Sequence, residues 1–292
     1  MNMEAVMTET LNEVWLHTLD EGRQERRRYL SGRLADNPVA GVPEPELHAH
    51  LEGMPARYWE SVSESELVWG LRTIHTFLGN VVSGDSAAWT PIVDWRHVPE
   101  RGFTKVMVCT WDRCGLLAKI AASFSAVRIN VTHADVYTRA DNIVLDVFRV
   151  KDGIAPFTPD STRLKQMAFL LEGALAEPPR FASTWAGLYH KFVPYRIEIP
   201  PLVVLDNGTS PEFTIINIEA SDRLGLLYDV LRVLDDMRLN VAQAEIDTED
   251  GIACDVLYVN DIHGRKIIDP SHLRMIGDSL REALSAEPEV VE

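Results

Sequence analysis

A six-residue stretch that occurs twice constrains this chain more than any other feature. Asp112–Leu117 has the sequence D-R-C-G-L-L, and Asp222–Leu227 has the sequence D-R-L-G-L-L, at a spacing of 110 residues. The agreement continues without a gap across Phe103–Thr138 and its counterpart Phe213–Thr248, where apolar positions and an Asn-Val pair recur. Chance similarity would not keep an acid, an arginine, a glycine and an asparagine in one frame. The sequence therefore indicates an internal duplication of one supersecondary unit.

Within each copy, the hydrophobic pattern changes from that of a strand to that of a helix. In the first copy, Phe103–Thr110 roughly alternates apolar and polar residues, which predicts a half-buried strand. Leu116–Val127 has one apolar face and predicts a helix. Two more strands, Val131–Thr138 and Ile143–Val150, precede a helix that begins after Thr158 with a proline in its first position. With a closing strand, this order predicts an α+β fold of two ferredoxin-like βαββαβ units.

The chain is expected to have three parts. A mainly helical N-terminal region covers residues 1–100, the first unit covers 101–200, and the second covers 210–292. The segment 83–100, rich in tryptophan and proline, is expected to be a connector packed on the first unit. Lys191–Ile199 is expected to form the closing strand of that unit. The units should pair side by side, because each alone leaves a sheet edge and apolar surface exposed, and the same surfaces allow a homo-oligomer.

The turn between the first strand and the first helix of each unit is suited to binding an anion. Asp112 lies where a helix N-cap is expected, and Gly115 lies in or near the first turn. Such a helix start presents backbone N–H groups that favour a carboxylate. The alternative is that the aspartate only caps its own helix, and the glycine only permits close packing. The duplication does not decide between them, since capping would have been copied too.

Further stretches connect the duplicated unit to a known family. The D-R-x-G-L-L turn and the Asn-Val pair resemble the signature of the ACT domain, a small regulatory module that binds amino acids. Leu205–Tyr228 and Asp255–Gly264 resemble the tandem ACT tail of the bifunctional PII uridylyltransferase/uridylyl-removing enzymes, and Met54–Tyr58 resembles the segment just before it. The resemblance covers roughly residues 54–285. It departs at Cys114 and Leu224, where proline is the commoner residue of the family.

The resemblance implies an amino acid as the ligand, with glutamine favoured as a nitrogen signal. The ligand carboxylate would meet the backbone at the glycine and leucine of the turn, and the ammonium group would meet the aspartate. The two asparagines, expected in a turn after each helix, could recognise a polar side chain. The expected ligand-binding residues are Asp112, Gly115, Leu116, Asn130, Asp222, Gly225, Leu226 and Asn240. The second unit is favoured as the binding unit, because its following strand and Tyr228 stay closer to the family pattern.

The chemistry of an enzyme cannot be placed in this sequence. G-x-x-x-x-G-K, G-x-S-x-G and H-E-x-x-H motifs are absent from it, as are the two catalytic halves of the family enzyme. Asp146 and Asp255 lie in predicted strands without a second acid near in sequence, and Asp235-Asp236 is expected to be solvated. No catalytic residue, metal or cofactor is therefore expected, and the hypothesis is a non-catalytic amino-acid sensor. One alternative is the C-terminal part of a uridylyltransferase with its catalytic domains elsewhere, for which a PII-type signal protein or a catalytic chain is the expected partner. The other is a dimerisation module with empty sites.

Composition excludes several other classes of protein. The net charge of −16 disfavours nucleic acid as a partner. Three cysteines give neither a disulfide framework nor a metal-binding spacing, which fits the cytoplasm. No apolar run is long enough to span a membrane. His48 and His50 resemble a metal-binding pair, but this spacing points their side chains apart on a helix.

Overall fold

The computed structural model of the chain describes residues 21–83, 90–113, 115–153, 158–176, 199–223, 225–249 and 251–285. Within them, two antiparallel sheets each carry helices on one face, and an N-terminal group of helices covers the other face of the first sheet. The predicted α+β fold of two ferredoxin-like domains behind a helical region is thus confirmed. None of the helices in these ranges is long and apolar enough to cross a membrane.

The part of the N-terminal group that the structure describes contains four helices. They are α1 (residues 21–36), α2 (Glu44–Gly53), α3 (Tyr58–Ser61) and α4 (Glu64–Ser83). A capping box opens α4, because Ser63 and Glu66 each bond the backbone N–H of the other. Buried residues of α4, among them Leu71 and Phe77, belong to the same hydrophobic cluster as Met107 and Leu145 of the first sheet. These helices therefore cover a sheet face that an isolated two-layer unit would leave open.

The first domain is built on a four-stranded sheet with the order β1-β2-β4-β3. Its elements are β1 (Ile92–Val98), β2 (Phe103–Trp111), α5 (Leu116–Ala126), β3 (Ile129–Asp135), β4 (Ile143–Asp152) and α6 (Ser161–Ala176). A short 3₁₀ turn at Pro99–Arg101 joins β1 to β2. Phe124 of α5 and Phe148 of β4 are fully buried, with ring centroids 5.2 Å apart, and anchor the helices to the sheet.

The second domain repeats this arrangement with the order β5-β6-β9-β7. Its elements are β5 (Leu202–Asp206), β6 (Thr214–Ser221), α7 (Leu226–Asp236), β7 (Leu239–Glu245), β8 (Thr248–Glu249), β9 (Ile252–Asp261) and α8 (Pro270–Ser285). The short strand β8 pairs with β9 beside the main order. Helices α5 and α7 contact each other, as do strands β3 and β7, so one hydrophobic core runs through both domains. The side-by-side pairing expected for the two units is present within one chain.

The fourth strand of each sheet differs from the expected order. It precedes the duplicated turn instead of closing the domain: β1 pairs with β2 in the first sheet, and β5 pairs with β6 in the second. The segment 83–100, interpreted as a connector, therefore contains a strand of the first sheet. Most of the expected closing strand, residues 191–198, lies outside the described residues. Strand β1 already pairs with β2 at this edge of the sheet. The order is possible because an antiparallel neighbour can precede or follow its partner strand in the sequence.

Candidate functional site

The two duplicated turns end in glycines that begin the helices. Gly115 has φ of 68° and Gly225 has φ of 84°, and they are the N-cap residues of α5 and α7 without a side-chain cap. The prediction that Asp112 and Asp222 are N-caps is therefore wrong. A left-handed backbone at this position is available to glycine without strain, so the glycine makes the turn and the aspartate side chain is left for other contacts.

The asparagine of each domain faces the turn of the other domain. Asn130 Nδ2 donates to Asp222 Oδ2 over 3.1 Å, from the first domain to the second. Asn240 lies in the wall of the cavity that contains Asp112, and its Nδ2 donates to Asn260 Oδ1 at 3.3 Å. Both asparagines are in strands and not in the expected turns; Arg128 and Arg238 have the positive φ instead. Each candidate site is therefore shared between the two domains.

The turn of the first domain opens into a cavity of about 460 Å³. This is within the range of roughly 300–1,000 Å³ that is usual for small-molecule sites. The residues that line it and bear polar side chains or lie at the helix start are Asp112, Arg113, Gly115, Leu116, Leu117, Ala118, Thr138, Asn142, Asp146, Asp235, Asn240 and Asp261. Four expected residues, Asp112, Gly115, Leu116 and Asn240, are thus brought together here.

The turn of the second domain has only about 20 Å³ of free space. That volume holds roughly one water molecule. Asp222, Gly225, Leu226 and Asn130, the other four expected residues, line it, and the hydrogen bond between Asn130 and Asp222 crosses it. The two sites are equivalent in sequence position but differ in form: the first is open, and the second is closed.

A second buried acid lies at each turn, and sequence reasoning did not connect it to the site. Asp146 and Asp255, on β4 and β9, are 1% and 2% exposed and line the first and second cavities. Burial, with a further contribution from Asp112, raises the pKa of Asp146 well above its usual range. Burial, followed by the charge of Asp222, raises the pKa of Asp255 to about 8. Each site thus holds two coupled carboxyl groups, whose ionised forms a bound cationic group would stabilise.

The buried arginine of the turn has a different environment in each domain. Arg113 Nη1 donates to the Leu175 carbonyl oxygen at 2.9 Å, while its Nη2 is buried without a hydrogen-bond partner. Arg223 Nη2 likewise donates to a helix-end carbonyl, that of Ala283 at 3.3 Å, and in addition forms an ion pair of 2.6 Å with Asp229. The position of Asp229 holds Lys119 in the first domain. Each arginine thus has one buried guanidinium nitrogen without a partner among the described residues, Nη2 of Arg113 and Nε of Arg223. Only Arg113 lines a cavity large enough for an acceptor such as a carboxylate.

The start of helix α5 differs from the expected anion site in two ways. The Leu116 N–H donates to the Arg113 carbonyl oxygen at 3.1 Å, so it is already used within the turn. The Asp235 carboxylate approaches from the second domain, and its Oδ2 is 2.8 Å from the place where a Cβ on Gly115 would be. The equivalent residue at the other site is Ser125. The N–H groups of Leu117 and Ala118 precede the first intrahelical bond of α5 and remain directed out of its end.

Other candidates from the sequence do not form a site. His50 is fully buried and bonds the Tyr58 hydroxyl at 3.2 Å, whereas His48 is exposed beside Glu52. In the part of the chain that the structure describes, no group of three potential ligands could hold a metal ion. Cys114 and Leu224, where the family pattern has proline, lie outside the described residues.

Comparisons with known proteins agree with this arrangement. A model of the ACR9-like, ACT-like domain family matches residues 202–291. Bifunctional uridylyltransferase/uridylyl-removing enzymes of Gluconobacter oxydans and Azospirillum brasilense are both 30% identical, over 87% and 91% of this chain and 27% and 28% of their own length. The same enzyme of Rhodospirillum rubrum is 29% identical over 94% of the chain and 30% of the relative.

The chain thus spans less than a third of the length of these curated relatives. Among solved structures, the aspartate kinase of Synechocystis matches with a TM-score of 0.33 and 16% identity, over 56% of this chain and 25% of that one. The duplicated turn, the two sheets, the domain-family match and the long alignments lead to one assignment. Residues 202–291 form an ACT-like domain, the unit before it repeats the same arrangement, and the chain is homologous over most of its length to the C-terminal region of the bifunctional uridylyltransferase/uridylyl-removing enzymes.

Proposed function

We propose that this chain is a regulatory unit that binds a free amino acid, glutamine being favoured, in the cavity at the first turn. We further propose that it works as the C-terminal part of a uridylyltransferase whose catalytic domains lie elsewhere, in the cytoplasm and in nitrogen signalling. The long alignments to such enzymes support this alternative better than a free-standing sensor. A PII-type signal protein or a catalytic chain would be its macromolecular partner, and the chain itself would catalyse no reaction.

One observation carries the amino-acid proposal: a single cavity holds groups for both charged ends of the ligand. The buried Nη2 of Arg113 and the Leu117 N–H at the start of α5 suit a carboxylate. The coupled carboxyl groups of Asp112 and Asp146 suit an ammonium group. Asn240, on the opposite wall, offers an amide that both donates and accepts, as a carboxamide side chain requires.

The charge of the cavity favours glutamine over glutamate. Four aspartates, Asp112, Asp146, Asp235 and Asp261, line the cavity together with the one guanidinium of Arg113. A ligand with a second carboxylate would meet this excess of negative charge in a partly enclosed space. Like charges at such distances disfavour each other. The neutral carboxamide of glutamine avoids that repulsion and keeps similar size and shape.

A calorimetric titration of the whole chain with glutamine, and separately with glutamate, tests the proposal. Glutamine should bind more tightly, and at about 100 times its dissociation constant it should stabilise the fold by about 2.7 kcal/mol. Absence of both heat and stabilisation with glutamine would contradict the sensor proposal for this ligand and favour a dimerisation module with empty sites. The purified chain, given UTP, magnesium and a PII-type protein, should transfer no uridylyl group.

A further inference from the structure

A second cavity lies on the opposite side of the first sheet from α5 and α6. It measures about 240 Å³ and is enclosed between helices α3 and α4 and strands β2, β3 and β4. It shares no lining residue with either of the two cavities at the duplicated turns. Any ligand held here would therefore be distinct from the amino acid proposed above.

Three basic side chains form a row across the floor of this cavity. Lys105 on β2 is the register partner of Arg149 on β4, and Arg149 is the partner of His133 on β3. All three line the cavity. Basic residues directly opposite one another on neighbouring strands destabilise a sheet unless negative charge offsets them. The row is notable in a chain whose net charge is −16.

Acidic neighbours account for two of these three side chains. Lys105 bonds Glu66 of α4, and His133 Nε2 lies 3.1 Å from Asp135 Oδ2. Arg149 forms no ion pair with an acid among the described residues, although its charge, after the hydrogen bond and charge of His133, helps to hold the pKa of Asp135 below its usual value. Its guanidinium carbon lies 5.8 Å from the centre of the Phe103 ring. The N–H groups of the Arg149 guanidinium are therefore available to a ligand in the cavity.

The second domain provides an internal comparison. The positions of Lys105, His133 and Arg149 are occupied there by Ile215, Gln243 and Tyr258. The basic row is therefore not a requirement of the duplicated fold. It is present on the sheet whose outer face α3 and α4 cover, where it lines an enclosed space.

Hydroxyl groups complete the wall of the cavity opposite the basic row. Ser61 Oγ and Tyr137 Oη are 2.6 Å apart, and Tyr58 Oη bonds His50. The neighbouring Arg57 does not line the cavity; its Nη1 donates to Gln243 Oε1 of the second domain at 2.9 Å. Guanidinium, ammonium and hydroxyl donors that converge on a small enclosed volume are the groups that recognise phosphate or carboxylate oxygens.

We propose that this cavity binds a small dianion, either a phosphate group or a dicarboxylate. Arg149 would make the principal contact, with Lys105 and His133 on either side of it. The ligand would form an ion pair with Arg149, the one member of the basic row without an ion pair to an acid among the described residues. Partial enclosure of the site makes that interaction stronger than on an open surface.

The test is calorimetry of the whole chain at low ionic strength with inorganic phosphate and, separately, with glutarate. At least one anion should bind, and the one that binds more tightly identifies the source. Arg149→Gln should weaken that binding about tenfold or more, equivalent to about 1.4 kcal/mol. Arg274→Gln makes the same change on the exposed side of α8 and should have no effect.

Two further measurements keep the result interpretable. Urea unfolding establishes that the Arg149→Gln variant is folded, and Lys105→Gln serves as a second variant with the same expected direction. Glutamine binding should be unchanged in Arg149→Gln, which separates this proposal from the amino-acid site. No binding of either anion by the unmodified chain, or equal affinity in the Arg149→Gln variant, would overturn the proposal.

Discussion

The duplication allows one substitution to be made at two equivalent positions with different expected results. Asp112→Ala changes the open first site, and Asp222→Ala changes the closed second site. If the first cavity binds glutamine, Asp112 contacts the ammonium group of the ligand. A hydrogen bond to a charged group contributes roughly 1.5–3 kcal/mol. Each 1.4 kcal/mol changes a dissociation constant tenfold, so Asp112→Ala should weaken glutamine binding about tenfold to a hundredfold.

Asp222→Ala should have a different effect. It removes the hydrogen bond of 3.1 Å from Asn130 that joins the two domains. The expected cost is about 1 kcal/mol of unfolding free energy, the usual net value of such a bond. The second site has space for little more than a water molecule, so glutamine affinity should change less than about twofold.

Calorimetry at pH 7 measures affinity in both variants, and urea unfolding measures their stability. The two variants are matched controls for each other, because they delete the same side chain at the same place in the duplicated unit. Unchanged affinity in Asp112→Ala would refute the assignment of the first cavity. Loss of affinity in Asp222→Ala alone would instead place the ligand at the second turn, as the family pattern in the sequence favoured.

Three further predictions follow from the geometry. The folded-state pKa of Asp255 is raised from 3.8 to about 8, so its stabilising contribution is complete below pH 4 and is lost as the pH rises through 8. Asp255→Asn should remove that decline in an unfolding series and raise stability at pH 8 by about 1 kcal/mol or more; an unchanged slope would contradict it. Phe148→Ala deletes a fully buried ring and should cost about 3–5 kcal/mol in urea unfolding; a loss below about 1 kcal/mol would be inconsistent with the packing. Asn240→Ala should weaken glutamine binding by about 1 kcal/mol in calorimetry, whereas Asn130→Ala should leave it unchanged.

The elements with a strong local pattern were predictable from the sequence. The first strand was expected at Phe103–Thr110 and is found at Phe103–Trp111, and the helix expected at Leu116–Val127 is found at Leu116–Ala126. The strand, predicted to be half-buried, is buried on both faces because the N-terminal helices cover the second one, and α5 is buried at every position except Lys119 and Ala126. Their largely apolar sequences between clear turn signals located both elements. The repeat strengthened the prediction, because each copy shows the same change from strand to helix at the same distance from the turn.

The edge strands carried a weaker signal. In β5, Leu202 and Val204 are exposed and Val203 is buried, so five residues provide only one core position. In β1, no residue is fully buried, and Trp95, Arg96 and His97 conceal the alternation. Edge strands bury little surface, and their position depends on the neighbour with which they pair. Nothing in the local sequence shows whether that neighbour precedes or follows.

The composition of the candidate site depends on contacts that sequence position does not contain. Asn130 and Asn240 were predicted as binding residues. Each faces the turn of the other domain, and that placement depends on how α5 and α7 pack. Asp146 is brought to the first site because it is the register partner of Val108 on β2. The separation of Asp112 and Asp146 in the sequence does not predict that they line the same cavity. Asp146 alternates with the core residues Val144 and Phe148 of β4, so it belongs to the sheet face that packs against the helices. An acid on such a buried face was the one sequence signal for a functional residue.

The asymmetry of the two sites follows from a few changes at equivalent positions. Asp229 pairs with the Nη2 of Arg223 in the second domain, whereas Lys119 holds the same place in the first, where the Nη2 of Arg113 has no partner among the described residues. The bond between Asn130 and Asp222 then uses the second site to fix one domain against the other. A fixed arrangement of the domains is what keeps Asn240 opposite the first turn, because these groups belong to different sheets. The closed site thus takes no ligand and stabilises the contact between the domains, while the hydrophobic core that both domains share keeps the walls of the open site in place when that one bond is removed.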